Sequence, residues 1–224
     1  MPDWREMATR AQSRYRDGEG RLPEEPDARQ RQLTRMGNAA NAAGLALLMA
    51  GDPGESRAWL ARAAERWRES YAQAPAGSWG RPIGAIKAHV LAGDWDAAAR
   101  DAMWALGEGA ADAESPIGKY AAALALLVLG RWREARVLAD ELRTHDGFPT
   151  DVADAIAFIS AEDVAGYTVA IESVLDSFET RTEHLEDVPV ADTVLVLQAL
   201  ARQHDIEVEL SSRLLPAHSC EAGG

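Results

Sequence analysis

The chain of 224 residues contains one cysteine, Cys220, close to its end. A single thiol closes no intrachain disulfide, and MPDWREMATR has no apolar stretch after its charges. Neither export nor a disulfide framework is therefore expected, and a reducing cytoplasm is the predicted location. Long apolar runs are also missing. Although 47% of the residues are hydrophobic, the longest run is about ten residues, half of the roughly 20 that a bilayer span requires. No membrane helix is expected.

Catalytic motifs are scarce as well. Gly77, Gly80 and Gly84 are interrupted by Trp79 and Pro82 and follow no predicted strand, so they make no phosphate-binding loop. His89 lies in an apolar helical segment with no serine or cysteine at a catalytic spacing, and reads as structural. No cofactor is expected and no catalytic residue is nominated.

Lysine is nearly missing, since only Lys87 and Lys119 stand among 23 basic residues. Positive charge of any kind is thin in the last part of the chain. Residues 1–136 hold 19 Lys and Arg against 18 Asp and Glu, whereas residues 137–224 hold 4 against 18, a net of -14. A compositional or salt bias accounts for few lysines but not for such a boundary. Duplex nucleic acid is excluded as a partner of the acidic part, because binding it means neutralising phosphates with Lys and Arg. The eight arginines of residues 1–35 are interleaved with seven acids.

What the sequence does contain is a helical repeat. In SPIGKYAAALALLVLGRWREARVLADELRT, residues 115–144, the first half is apolar on every face and predicts a buried helix. After Gly130, Trp132, Ala135, Leu138, Ala139 and Leu142 recur three or four apart, as on a half-exposed helix. PIGAIKAHVLAGDWDAAARDAMWAL, from Pro82, repeats the design: Pro82 and Pro116 are 34 apart, and Trp95 and Trp132 are 37 apart. Gly51 and Asp52 echo Gly93 and Asp94 and bring in an earlier pair from Met36. A fourth pair follows Pro149, and a last apolar helix after Pro189 is expected to cap the array. Periods of this length built from helix pairs predict an all-α fold, antiparallel hairpins stacked as a tetratricopeptide-like solenoid. Ile206, Val208 and Leu210 alternate with Glu207 and Glu209 and predict a short extended segment near the C-terminus. The organisation read from this is an N-terminal helical and loop extension over 1–35, a repeat domain over 36–216 and a flexible tail over 217–224. The tryptophans read as core, with Trp79, just before Pro82, the one expected to be exposed.

Two groups of residues are candidates for function. Glu183, His184, Glu186, Asp187 and Asp192 place oxygen and imidazole ligands within ten residues, as a hard-metal or acid/base site would. Their spacing matches no standard ligand motif, and a solvated interhelical loop is the simpler expectation. The second group is the acidic surface itself, with Glu172, Asp176, Glu179, Glu183, Glu186 and Asp187 as predicted partner-binding residues. Four of them, Glu172, Asp176, Glu179 and Glu183, share one helical face if the helix continues through Arg181. Such a surface suits a basic protein partner, or serves solubility alone.

The segment VADTVLVLQALARQHDI, the extended VEL after it and the ending SSRLLP resemble the C-terminal end of the immunity protein 49 family. The likeness lies in an apolar helix ending in Leu200 and Ala201, a short β-like segment, and a Ser-x-x-Leu-Pro type ending at Ser212 to Pro216. That resemblance implies a bacterial protein that neutralises a cognate toxin by stoichiometric binding in the cytoplasm, with no catalytic residues of its own. A generic tetratricopeptide-like scaffold or regulator, and an enzyme using the Glu183 to Asp192 cluster, are the alternatives.

Overall fold

The computed structural model describes residues 2–217. They form ten α-helices in sequence: α1 (Trp4–Glu19), α2 (Pro26–Met49), α3 (Pro53–Tyr71), α4 (Gly80–Ala92), α5 (Trp95–Gly107), α6 (Pro116–Val128), α7 (Trp132–Leu142), α8 (Thr150–Ser160), α9 (Val164–Glu179) and α10 (Asp192–Arg202). Short 3₁₀ turns lie at Ala110–Asp112 and Leu185–Asp187, and no strand is present among the described residues. From α1 to α9 each helix packs on the next. Among the described residues no helix is long and apolar enough to cross a membrane.

Local chemistry sets the helix starts. Asp52, Asp94, Ser115 and Asp163 each accept a backbone N–H from three residues ahead, at 3.2, 2.9, 3.1 and 2.9 Å, which satisfies donors that a helix start leaves free. The turns inside the pairs share one backbone design. Gly51, Gly93 and Gly130 are left-handed, with φ of 77, 71 and 68°. The next residue donates its N–H to the carbonyl five back: Asp52 to Leu47 at 2.9 Å, Asp94 to His89 at 3.0 Å and Arg131 to Leu126 at 2.8 Å. The same turn occurs twice more without glycine. Glu162 and Asp205, both at φ 55°, stand in its place, with bonds from Asp163 to Phe158 at 3.0 Å and from Ile206 to Ala201 at 3.1 Å.

The core forms in two parts. One unites α1, α2 and α3 with part of α4, and the other runs from α4 to α10. Leu124 and Leu127 of α6 lie in the second and are essentially inaccessible, as an all-apolar helix requires. Helix α2 runs unbroken across residue 35, and α1 packs on it through Ala8, Ala11 and Tyr15. The Tyr15 ring meets Trp59 edge-on at 5.4 Å.

Three expectations are corrected. Trp79 is not exposed but buried at 8%, because Gly118 makes room for it; a Cβ there would come within 2.8 Å of the indole nitrogen. Helix α9 stops at Glu179 and does not continue through Arg181. The Thr180 hydroxyl turns back to the Asp176 carbonyl at 3.1 Å, and the chain leaves helical geometry. Helix α10 does more than close the end of the array, since it lies against α4, α8 and α9 together. Between α9 and α10 the chain crosses back to α2, where Val188 and Val190 enter the N-terminal core.

Residues 206–210 carry no strand assignment, but Ile206 and Leu210 are buried, Val208 is half-buried and Glu207 and Glu209 are exposed. The expected flexible tail, Ala217 apart, lies outside the described residues, as does Cys220.

Candidate functional site

Helix α9 is positioned by the stripe Tyr167, Ala170, Ile171, Val174, Leu175 and Phe178, all buried. Burying that stripe turns Glu172, Asp176 and Glu179 outward. Val169, 70% exposed and one turn before Glu172, is the most exposed large apolar side chain described. The outer side of α9 thus carries an apolar point followed along the same face by Glu172 and Asp176.

Among the predicted partner-binding residues, the structure separates three situations. Glu172, Asp176, Glu183 and Asp187 are exposed and have no basic group within 4.0 Å among the described residues. Glu183 lies beyond the helix end, so the continuous four-carboxylate face expected from the sequence is broken there. Glu179 accepts a hydrogen bond from the Ser212 hydroxyl at 2.6 Å. Glu186 is half-buried and committed: Arg14 Nε lies 3.2 Å from its Oε2, and Arg14 Nη2 donates to its backbone carbonyl at 3.3 Å. It fastens α1 to the loop and is not free to meet a partner.

The Glu183 to Asp192 cluster is brought together only in part: Glu183, His184 and Asp192 line one small pocket of about 110 Å³, and the other carboxylates are engaged or turned elsewhere. Glu186 faces Arg14, while Asp192 lies 2.6 Å from Lys87 Nζ on α4. Lys87 also donates to the Thr193 hydroxyl at 3.0 Å. Among the described residues no group of three or more His, Cys, Asp or Glu side chains is spaced to hold a metal ion. His89, read as structural, shares a buried carboxylate with an arginine: Asp101, 2% exposed, takes His89 Nδ1 at 2.7 Å and Arg68 Nη1 at 2.8 Å. The three groups tie α3, α4 and α5.

The sequence reading left Glu207 and Glu209 out of the acidic surface. The Ser212 hydroxyl on Glu179 and the Gln198 side chain of α10, which donates to the Val208 carbonyl at 3.0 Å, hold residues 206–212 across the ends of α9 and α10, adding both glutamates to that end of the molecule. They also line a pocket of about 180 Å³ with Tyr167, Gln198 and Arg202. The Tyr167 hydroxyl is buried there without a hydrogen-bond partner among the described residues. Burial pushes its ionisation up, against a smaller opposing pull from Arg202. Only the tertiary fold makes these residues neighbours.

Charge elsewhere is spent differently. In the N-terminal helices Arg29, Arg31 and Arg66 take up Glu69, Asp27 and Glu19, so acid and base cancel locally. Compared with known proteins, the chain matches no family model, no curated protein and no solved structure.

Proposed function

We propose that this is a binding module of stacked tetratricopeptide-like hairpins that captures a basic protein through the outer side of α9 and the loop that follows it. The observation carrying this reading is the group of exposed carboxylates without basic partners, Glu172, Asp176, Glu183 and Asp187, beside exposed Val169. Opposite fields speed the encounter and select the partner, while an apolar contact at the centre supplies affinity that charge at the rim does not. The resemblance of the C-terminal helix and its SSRLLP ending to immunity protein 49 names the kind of partner, a toxin with a basic surface held in a stoichiometric complex in the cytoplasm. The proposed action needs no cofactor and no nucleic acid.

The test is co-expression with the product of the adjacent gene, followed by size-exclusion chromatography and a growth assay. A stable complex and relief of toxicity are expected. Capture of a non-toxic host protein in its place would make the module a scaffold or regulator. A partner that binds equally well after the α9 carboxylates are removed would sink the proposed surface.

A further inference from the structure

A second recessed region lies on the other flank of the crossing segment, and its charge has the opposite sign. It is an open groove of about 510 Å³ between α2, the start of α4 and the start of α10, within the size range of small-ligand sites. Its ionic groups are Arg81, Lys87 and Asp192. Lys87 and Asp192 neutralise each other at 2.6 Å. Arg81 has no carboxylate within 4.0 Å among the described residues; its Nε donates to Ser70 Oγ at 2.8 Å and its Nη2 to Gln30 Oε1 at 2.5 Å, both neutral. Nη1 and the remaining Nη2 hydrogen stay available as a fork. Burial disfavours the charge and pulls its ionisation below the usual guanidinium range. One uncompensated positive charge therefore stands in the groove.

Two amides stand with it. Asn41 lines the groove and makes no hydrogen bond with its carboxamide among the described residues, and that amide is open to the groove rather than sealed in the core. Asn38, one turn earlier, accepts the Trp67 indole N–H at 3.1 Å, which leaves its NH₂ free. Trp67, Ile83, Ile117 and Leu185 supply apolar wall, and the last two are 46% and 62% exposed.

We propose that this groove binds a monocarboxylate carried on a short apolar body with amide groups: the carboxylate on the Arg81 fork, the amides on Asn38 and Asn41, and the apolar part against Trp67, Ile117 and Leu185. The charge count selects a monoanion, since a dianion would bring a second charge toward Asp192. Planar pairing of carboxylate with guanidinium selects the head group. Two sources share this chemistry, a free N-acylated amino acid and the C-terminal end of a peptide. The groove shares Leu185 with the loop that carries Glu183 and Asp187, but its uncompensated charge is positive, so it favours an anion where the acidic face favours cations.

The test follows the Trp67 indole cross-peak in ¹⁵N-correlated spectra of the full chain, since that N–H sits on Asn38. Three probes are added: N-acetyl-L-leucine, its amide, and acetyl-Ala-Ala-Ala-Leu with a free C-terminus. Saturable shifts with the two acids are expected, with the amide at least about tenfold weaker because it lacks the charge-assisted pair. The tetrapeptide binding more tightly than the single residue identifies a chain terminus as the source; equal affinity identifies a free acyl amino acid. Asn41→Ala and Arg81→Lys, each checked for an unchanged helical spectrum, should weaken binding about tenfold. Arg81→Lys keeps the charge but loses the fork, so Asn41→Ala is the decisive variant if the former unfolds. Acid and amide binding alike, no saturation by about 10 mM, or wild-type affinity in folded Asn41→Ala would each overturn the proposal.

Discussion

The indole of Trp67 lies where a side chain on Gly84 would have to go. A Cβ built there meets the six-membered ring at 2.8 Å, and one built on Gly37 from the opposite side meets the same indole at 2.7 Å. Trp67 of α3 is therefore held between α2 and α4 by two missing side chains. Gly84→Ala and Gly37→Ala should each lower stability by about 1–3 kcal/mol, the usual cost of overpacking. Urea unfolding measures it. An unchanged midpoint in both would mean that the contact is loose.

The five left-handed turns predict opposite signs at matched positions. Gly93→Ala and Gly130→Ala should cost about 1 kcal/mol, because a Cβ is disfavoured at positive φ. Asp205→Gly should gain about 0.5 kcal/mol, the relief of that strain less the extra freedom glycine gives the unfolded chain. Glu162→Gly should gain less, since Glu162 lies 3.6 Å from His204 Nδ1 and that contact is lost. Thermal melts of the four variants distinguish the signs.

Tyr167 predicts a pH effect. Its hydroxyl has no partner among the described residues, so Tyr167→Phe should leave stability at neutral pH unchanged or raise it by up to about 1 kcal/mol. In the unfolded chain tyrosine ionises near pH 10, whereas burial holds Tyr167 and Tyr120 protonated to higher pH, with the Asp192 charge adding to the effect at Tyr120. Above about pH 10 the unfolded state therefore holds fewer protons than the native one, and stability falls as pH rises. Removing Tyr167 should make that alkaline decline shallower. Urea midpoints between neutrality and strong alkali measure it, and an equally steep decline in the variant would contradict the assignment.

Reversing Glu172 and Asp176 to Lys should leave the fold intact, because both side chains are exposed and such changes usually cost less than about 0.5 kcal/mol. Association with a basic partner should slow markedly at low salt, and added salt should narrow the difference from wild type. Stopped-flow kinetics at two ionic strengths test this. Equal rates at low salt would assign the acidity to solvation.

How far these features were legible in the sequence depends on how local their causes are. The pairs built on Gly93 and Gly130 were visible because glycine, proline and tryptophan recur at matched offsets. The turn at Glu162 has the same backbone, but it lacks the residue that announces it. Trp79 looked exposed because its burial depends on Gly118, which lies more than thirty residues on. The outward set of Glu172 and Asp176 followed from the apolar stripe of α9. The loss of Glu186 to Arg14, 172 residues away, had no sequence signal at all. The end of α9 was misjudged for a related reason, since Thr180 closes the helix without a glycine or proline.

The return of Val188 and Val190 to the N-terminal core changes how the molecule comes apart. An array in which each hairpin touches only its neighbours can fray from either end, one pair at a time. Here the chain leaves α9, anchors beside α2, and then sets α10 against α4, α8 and α9. Early and late hairpins are thereby tied by one strap, so neither end can peel away without uncovering apolar surface at the other. Melting should proceed as a single cooperative event, and a protease nick between Thr182 and Asp187 would part α9 from the segment that anchors beside α2 while leaving that segment joined to α10.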